Sequence, residues 1–142
     1  MNTSVHLQSA LANTFALYAK VHSFHWNVTG PRFQELHGFF EEIYSGLWKE
    51  VDEIAELLRI EGFEAPKTLS EIIAGAKILE CPNTPDADEM LQIIREDLET
   101  LRKVYITGAQ EAEKDGNFGV ESYLEEHATA YKKTLWMMKS MV

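Results

Sequence analysis

Residues 32–62, RFQELHGFFEEIYSGLWKEVDEIAELLRIEG, carry an unbroken helical pattern. Phe33, Leu36, Phe40, Ile43, Leu47, Val51, Ile54 and Leu58 recur at steps of three and four, the spacing that gathers apolar side chains on one face of an α-helix. The pattern predicts a helix from about Arg32 to Glu61, stopped by Gly62. At about 1.5 Å per residue it is roughly 45 Å long, enough for one rod of a bundle.

Upstream, Leu7, Leu11, Phe15 and Tyr18 predict a helix from about Val5 to Asn27, ended by Thr29-Gly30-Pro31. Downstream, Thr68-Leu69-Ser70-Glu71 reads as a capping box opening a short helix through Ile72, Ile73 and Ala76. Thr84 or Asp86 then caps a third long helix bearing Met90, Ile94, Leu98, Leu101 and Tyr105, which Lys114-Asp115-Gly116-Asn117 breaks. A fourth, from about Phe118 to Met141, carries Tyr123, Leu124, Ala128, Tyr131, Leu135 and Met138. The expected fold is all-α: a ferritin-like four-helix bundle, with a short extra helix in the connection between the second and third long helices. The linker from Gly62 to Thr84 is long enough to travel the length of such a bundle.

The 142 residues suit one domain, residues 1–142, with one core. No apolar run approaches the roughly 20 residues of a membrane span and the first residues lack a signal-peptide pattern, so a cytoplasmic location is expected. Cys81, the single cysteine, fits a reducing compartment, and Asn27-Val28-Thr29 is read as a chance glycosylation sequon. The formal charge of −10 argues against a surface that neutralises phosphates, so DNA binding is not expected at neutral pH. Lys20 is the only charged residue among the first 31, leaving −11 for the remainder. So weakly charged a first helix suggests burial between subunits or a surface kept soluble by Asn, Thr, Ser and Gln.

Metal-binding bundles commonly use Glu-x-x-His on two helices, and none of the five histidines has an acid three residues before it. The chain offers instead His25 at the end of the first helix and His37, Glu41, Asp52 and Glu56 on the second. Positions 41, 52 and 56 lie roughly 40°, 60° and 100° round the helix from position 37, so all four share one side as two i,i+4 pairs. The pairs are about 22 Å apart along the axis, whereas ligand bonds are about 2 Å. One chain cannot close them on one metal. A second copy of the helix, antiparallel about a twofold axis, would set Asp52 and Glu56 opposite its partner's His37 and Glu41 and generate two identical sites. The crossing point falls at Ser45-Gly46, whose small side chains permit close approach. Taken singly, such carboxylates read as a solvated face and such histidines as structural. Their joint placement reads as a metal site.

The stretch His25-Trp26-Asn27-Val28-x-Gly30-Pro31-x-Phe33-x-x-Leu36-His37, with Asp52-x-x-Ala55-Glu56, resembles the Dps mini-ferritins, DNA-binding proteins from starved cells. The resemblance continues through Ala65-Pro66-x-Thr68 to Trp136-Met137-Met138 and covers nearly the whole chain. It implies a hollow dodecamer with ferroxidase sites at twofold interfaces: His25 and His37 from one subunit, Asp52 and Glu56 from its partner, and Glu41 where the family has Asp. Leu57 stands where members commonly have Arg, and Gly119-Val120-Glu121-Ser122 departs from the family's pore motif. Glu121 and Glu125 then read either as substitute pore acids or as a solvated face. The lysine-rich N-terminal tail with which some members bind DNA is missing.

The implied function is iron storage and detoxification, with Fe²⁺ oxidised by hydrogen peroxide, or O₂, and ferric mineral stored inside the shell, protecting against oxidative damage. Mixed imidazole and carboxylate ligands suit iron in both oxidation states, with zinc a possible substitute. A DNA-binding nucleoid protein with weak or no ferroxidase activity is the alternative, and a structural oligomer whose site has lost activity is a third reading. Trp26 reads as a quencher of stray oxidising equivalents or as core packing, and Trp48 and Trp136 as core packing. His22 is expected in a supporting or structural role and His127 on the surface.

Overall fold

The computed structural model describes residues 2–141. Its five helices are α1 (Asn2–Asn27), α2 (Phe33–Ile60), α3 (Leu69–Ile72), α4 (Ala87–Lys114) and α5 (Phe118–Lys139). Short turns join α1 to α2 and α4 to α5, so each pair is an antiparallel hairpin. Contacts Thr3–Asp115, Thr14–Tyr105 and Lys20–Asp97 run in opposite sequence order, which makes α1 and α4 antiparallel as well. α2 and α4 are therefore parallel, and the segment containing α3 must carry the chain back along the bundle. This is the ferritin-like arrangement expected from helix lengths.

Local chemistry sets the boundaries. The ends of α2 and α4 are Schellman motifs: Phe63 N–H donates to the Leu58 carbonyl at 2.9 Å and Asn117 N–H to that of Ala112 at 2.8 Å. The turning residues are Gly62 (φ 91°) and Gly116 (φ 71°), where a side chain would be strained. Of the two candidate caps for α4, Asp86 does the work, its carboxylate accepting from Glu89 N–H at 2.9 Å. α3 starts as expected, with the Thr68 hydroxyl accepting from Glu71 N–H and the Glu71 carboxylate from Lys67 N–H. It stops at Ile72 rather than Ala76, because turns follow and Gly75 adopts φ 78°.

The apolar stripe of α4 is buried as predicted, from Met90 through Tyr105. That of α1 needs correction. Leu7 and Leu11 are buried, but the stripe continues through Leu17, Val21 and Phe24, leaving Phe15 and Tyr18 half-buried on the flank. In α2, Phe33 is exposed and Phe39 buried in its stead. The low charge of α1 has an explanation within the chain. It packs on both α2 and α4, and its third side meets the crossover, where the buried Asn13 side-chain oxygen accepts from Lys77 and Ile78 N–H at 2.8 and 3.1 Å. Among the described residues no helix is long and apolar enough to cross a membrane.

Candidate metal centre

The turn between α1 and α2 brings His25 and His37 together by a reciprocal pair of hydrogen bonds. His25 Nδ1 lies 2.6 Å from the His37 carbonyl oxygen, and His37 Nδ1 lies 2.7 Å from that of His25. A carbonyl only accepts, so both Nδ1 atoms must carry the proton and donate. Each ring is thereby fixed in the tautomer that leaves the Nε2 lone pair available, and neither Nε2 has a hydrogen-bond partner among the described residues. The rings stack at 3.7 Å and 14°, Phe33 covers His37 at 4.9 Å, and Tyr44 meets His25 edge-on at 5.1 Å. His25 is buried at 7% exposure. Hydrogen bonds and ring packing thus fix the orientation of both rings.

The carboxylates are disposed differently. Glu41, one turn beyond His37, is exposed, and its charge reaches His22 and Tyr44. Asp52 and Glu56 are exposed on α2 without hydrogen-bond or ion-pair partners among the described residues. Among those residues no three His, Cys, Asp or Glu converge closely enough to hold a metal. The chain brings together His25 and His37 and does not bring Asp52 and Glu56 to them. Ser45 and Gly46, between the two groups, are exposed, and a Cβ on Gly46 would meet nothing within 4 Å.

His22 supports this cluster from behind. Its Nδ1 lies 2.9 Å from the Tyr18 hydroxyl, and its ring stacks on Tyr44 at 3.8 Å and leans on Trp26 at 4.4 Å. Burial pushes its pKa down, as does His25, with Glu41 opposing. The expected core roles of the tryptophans are not observed: Trp26, Trp48 and Trp136 are 66%, 54% and 64% exposed. His127, expected on the surface, is only partly there. It is half-buried, donates from Nδ1 to the Tyr123 carbonyl at 2.8 Å, and sets Nε2 3.9 Å from Glu53. Of the two pore candidates, Glu121 is half-buried and its pKa is raised by burial, then by Glu113 and Glu125, while Glu125 is exposed.

Sequence reasoning missed a second polar cluster at the bundle centre. Glu50, 7% exposed, accepts on Oε1 from the Tyr105 hydroxyl at 2.9 Å and from the Tyr131 hydroxyl. Tyr105 also contacts the Thr14 hydroxyl at 2.7 Å, so side chains from all four long helices meet here. Burial raises the pKa of Glu50 against the hydrogen bonds of both phenols, and raises those of both tyrosines. A signal was present: Leu47, Glu50 and Ile54 continue the helical step as well as Leu47, Val51 and Ile54 do. Tyr105 and Tyr131, at core positions, needed a polar partner.

The ferritin-like domain model matches residues 5–142. The DNA protection during starvation protein of Helicobacter pylori is 32% identical over 141 residues, 99% of this chain and 98% of that protein. The chain belongs to the Dps branch of the ferritin-like family. Solved Dps structures share its fold. A zinc-soaked Dps from Listeria innocua superposes with a TM-score of 0.93 at 29% identity, covering 98% of this chain and 94% of that one. The Vibrio cholerae Dps, described as a member of a broad superfamily of ferritin-like diiron-carboxylate proteins, gives 0.93 at 26% identity, covering 98% and 87%. This membership places the Dps chain in a class concerned in general with iron storage and protection.

Proposed function

We propose that this Dps protein is a ferroxidase that detoxifies and stores iron, working at sites completed between subunits of a hollow dodecamer. His25 and His37 supply two preset Nε2 donors, Glu41 an adjacent oxygen, and Asp52 and Glu56 come from the neighbouring subunit across a twofold axis through Ser45-Gly46. The reciprocal His25–His37 bonding carries this reading, since it costs two histidines their freedom and leaves both Nε2 atoms unused within the chain. Iron is the substrate, and zinc would occupy the same donors without turnover. Two ferrous ions give two electrons to one peroxide, which takes up two protons and leaves as two waters, so no hydroxyl radical is released. Protection of DNA then follows from removing ferrous iron and peroxide in the cytoplasm, without the acidic surface having to bind DNA.

The test is an anaerobic Fe²⁺ titration of the assembled particle followed by a peroxide pulse. Stoichiometric ferric absorbance, lost on His37→Ala, is expected, with a mass well above one subunit. Full turnover by a lone subunit would overturn it.

A further inference from the structure

The buried Glu50 cluster takes no part in the iron chemistry above, yet burying a carboxylate at a bundle centre is costly unless it is fully bonded. Its hydrogens can be counted. Glu50 Oε1 faces two phenolic hydroxyls, each with one proton, and both donate to it. The Thr14 proton then goes to the Tyr105 oxygen at 2.7 Å or the Ala10 carbonyl at 2.6 Å. Both phenols therefore end on one acceptor, with their rings 5.5 Å apart and almost no exposure to water. Glu50 and Asp52 are two residues apart, roughly 200° round α2. The phenols consequently lie behind the Asp52–Glu56 face, beyond Glu50 and so by more than the thickness of one helix with its side chains, about 10–12 Å.

We propose that Tyr131, sharing its proton with Glu50 and backed by Tyr105, supplies the second electron that peroxide needs when the interfacial site holds only one ferrous ion. This rests on the ferroxidase reading. The ferrous ion gives one electron and Tyr131 the other, the O–O bond breaks, and two protons from water complete two water molecules. The phenolic proton moves along its existing hydrogen bond to Glu50. The products are Fe³⁺, a neutral phenoxyl and a neutral carboxylic acid. The next ferrous ion to arrive returns an electron to the phenoxyl while Glu50 returns the proton, so the sum remains two ferrous ions per peroxide.

Charge and burial together separate this cluster from other rings: Tyr123 also donates to a carboxylate, Glu53 at 2.8 Å, but that side chain is 35% exposed and gains less by losing its charge. Oxidising Tyr131 removes the buried negative charge of Glu50, which the apolar core favours. Tyr18 has only His22 Nδ1 beside its hydroxyl: where Nδ1 carries the proton there is no acceptor, and where it does not, oxidation would create a cation beside His25 and the bound iron. Tyr44, Trp26 and Trp48 have no hydrogen-bond acceptor for their proton among the described residues.

The experiment loads the particle anaerobically with one Fe²⁺ per site, adds one equivalent of peroxide, and freezes for electron paramagnetic resonance. Wild-type protein should give a radical whose hyperfine pattern collapses when tyrosine is ring-deuterated, and which disappears on adding a second Fe²⁺. Glu50→Gln keeps an oxygen for both phenols but cannot take the proton, so the radical should be lost while ferric absorbance persists. Tyr18→Phe and Trp26→Phe should retain it. The labelled wild type needs no mutation, and melting curves establish that each variant is folded. A radical that ignores the tyrosine label, survives Glu50→Gln or vanishes in Tyr18→Phe overturns the proposal, as does its absence alongside normal ferric formation. Absence of ferric absorbance in the wild type would instead remove the ferroxidase reading, and this inference with it.

Discussion

Replacing Tyr105 and Tyr131 with Phe, singly and together, tests whether Glu50 is held by its two phenols. Each single change removes one of the two donors to a buried carboxylate. A hydrogen bond to a charged group is worth about 1.5–3 kcal/mol, so each should destabilise the fold by about that much. Thr14 keeps the Ala10 carbonyl when Tyr105 is lost, so the two costs should be similar. The singles sum to about 3–6 kcal/mol; each still leaves one phenol to hold the charge, whereas the double variant leaves none, so its cost should exceed that sum. The excess depends on pH. Burial sets Glu50 above its ordinary 4.5, so its ionisation favours the unfolded chain. The stability it contributes is fully present below about 4.5 and is lost as pH rises through the folded value. The non-additive excess should therefore be larger near pH 8 than near pH 5, because a falling pH favours the protonated form of Glu50. Urea unfolding at fixed protein concentration, with unchanged m-values, measures all four corners. Singles costing less than about 0.5 kcal/mol, or strict additivity at both pH values, would refute the reasoning.

Three further outcomes follow. Since His25 and His37 each anchor the other's ring through an Nδ1–carbonyl bond as well as offering Nε2 to the proposed site, His25→Ala and His37→Ala should both weaken Co²⁺ binding by more than the roughly 10–100-fold typical of losing an outer partner; retained cobalt absorption in either would remove it from the site. Gly46→Leu has open space in the single chain and should leave helix content unchanged, but it should lower the particle mass seen by light scattering if two α2 helices cross there. An unaltered mass would move the crossing point elsewhere. Asp86→Ala should cost about 1 kcal/mol by uncapping α4, whereas Thr68→Ala, capping the four-residue α3 with no buried residue, should leave the global urea midpoint in place. Equal effects from the two would contradict the difference in packing.

Helix order, the cap at Thr68, the choice of Thr84 or Asp86 to cap α4, and the stops at Gly62 and Gly116 were legible in the sequence because they are decided within a few residues by backbone hydrogen bonding and φ. The pairing of His37 with Glu41, and of Asp52 with Glu56, was legible for the same reason: helical rise and rotation place them without reference to any other element. The roughly 22 Å gap between the pairs also needs nothing more. The coarse family reading rested on the block from His25 to Glu56, and the fold bears it out.

Tertiary structure alone decided the rest. That His25 and His37 exchange Nδ1–H bonds with each other's carbonyls depends on how the α1–α2 turn closes. That Glu50 rather than Val51 continues the buried stripe depends on the side of α2 that faces Tyr105 and Tyr131. An apolar pattern fixes a helix's face only to within a residue or so, since neighbouring positions can turn inward with little local difference. Which one does is settled when partners from other helices arrive, and a buried carboxylate is tolerated only where two hydroxyls meet it.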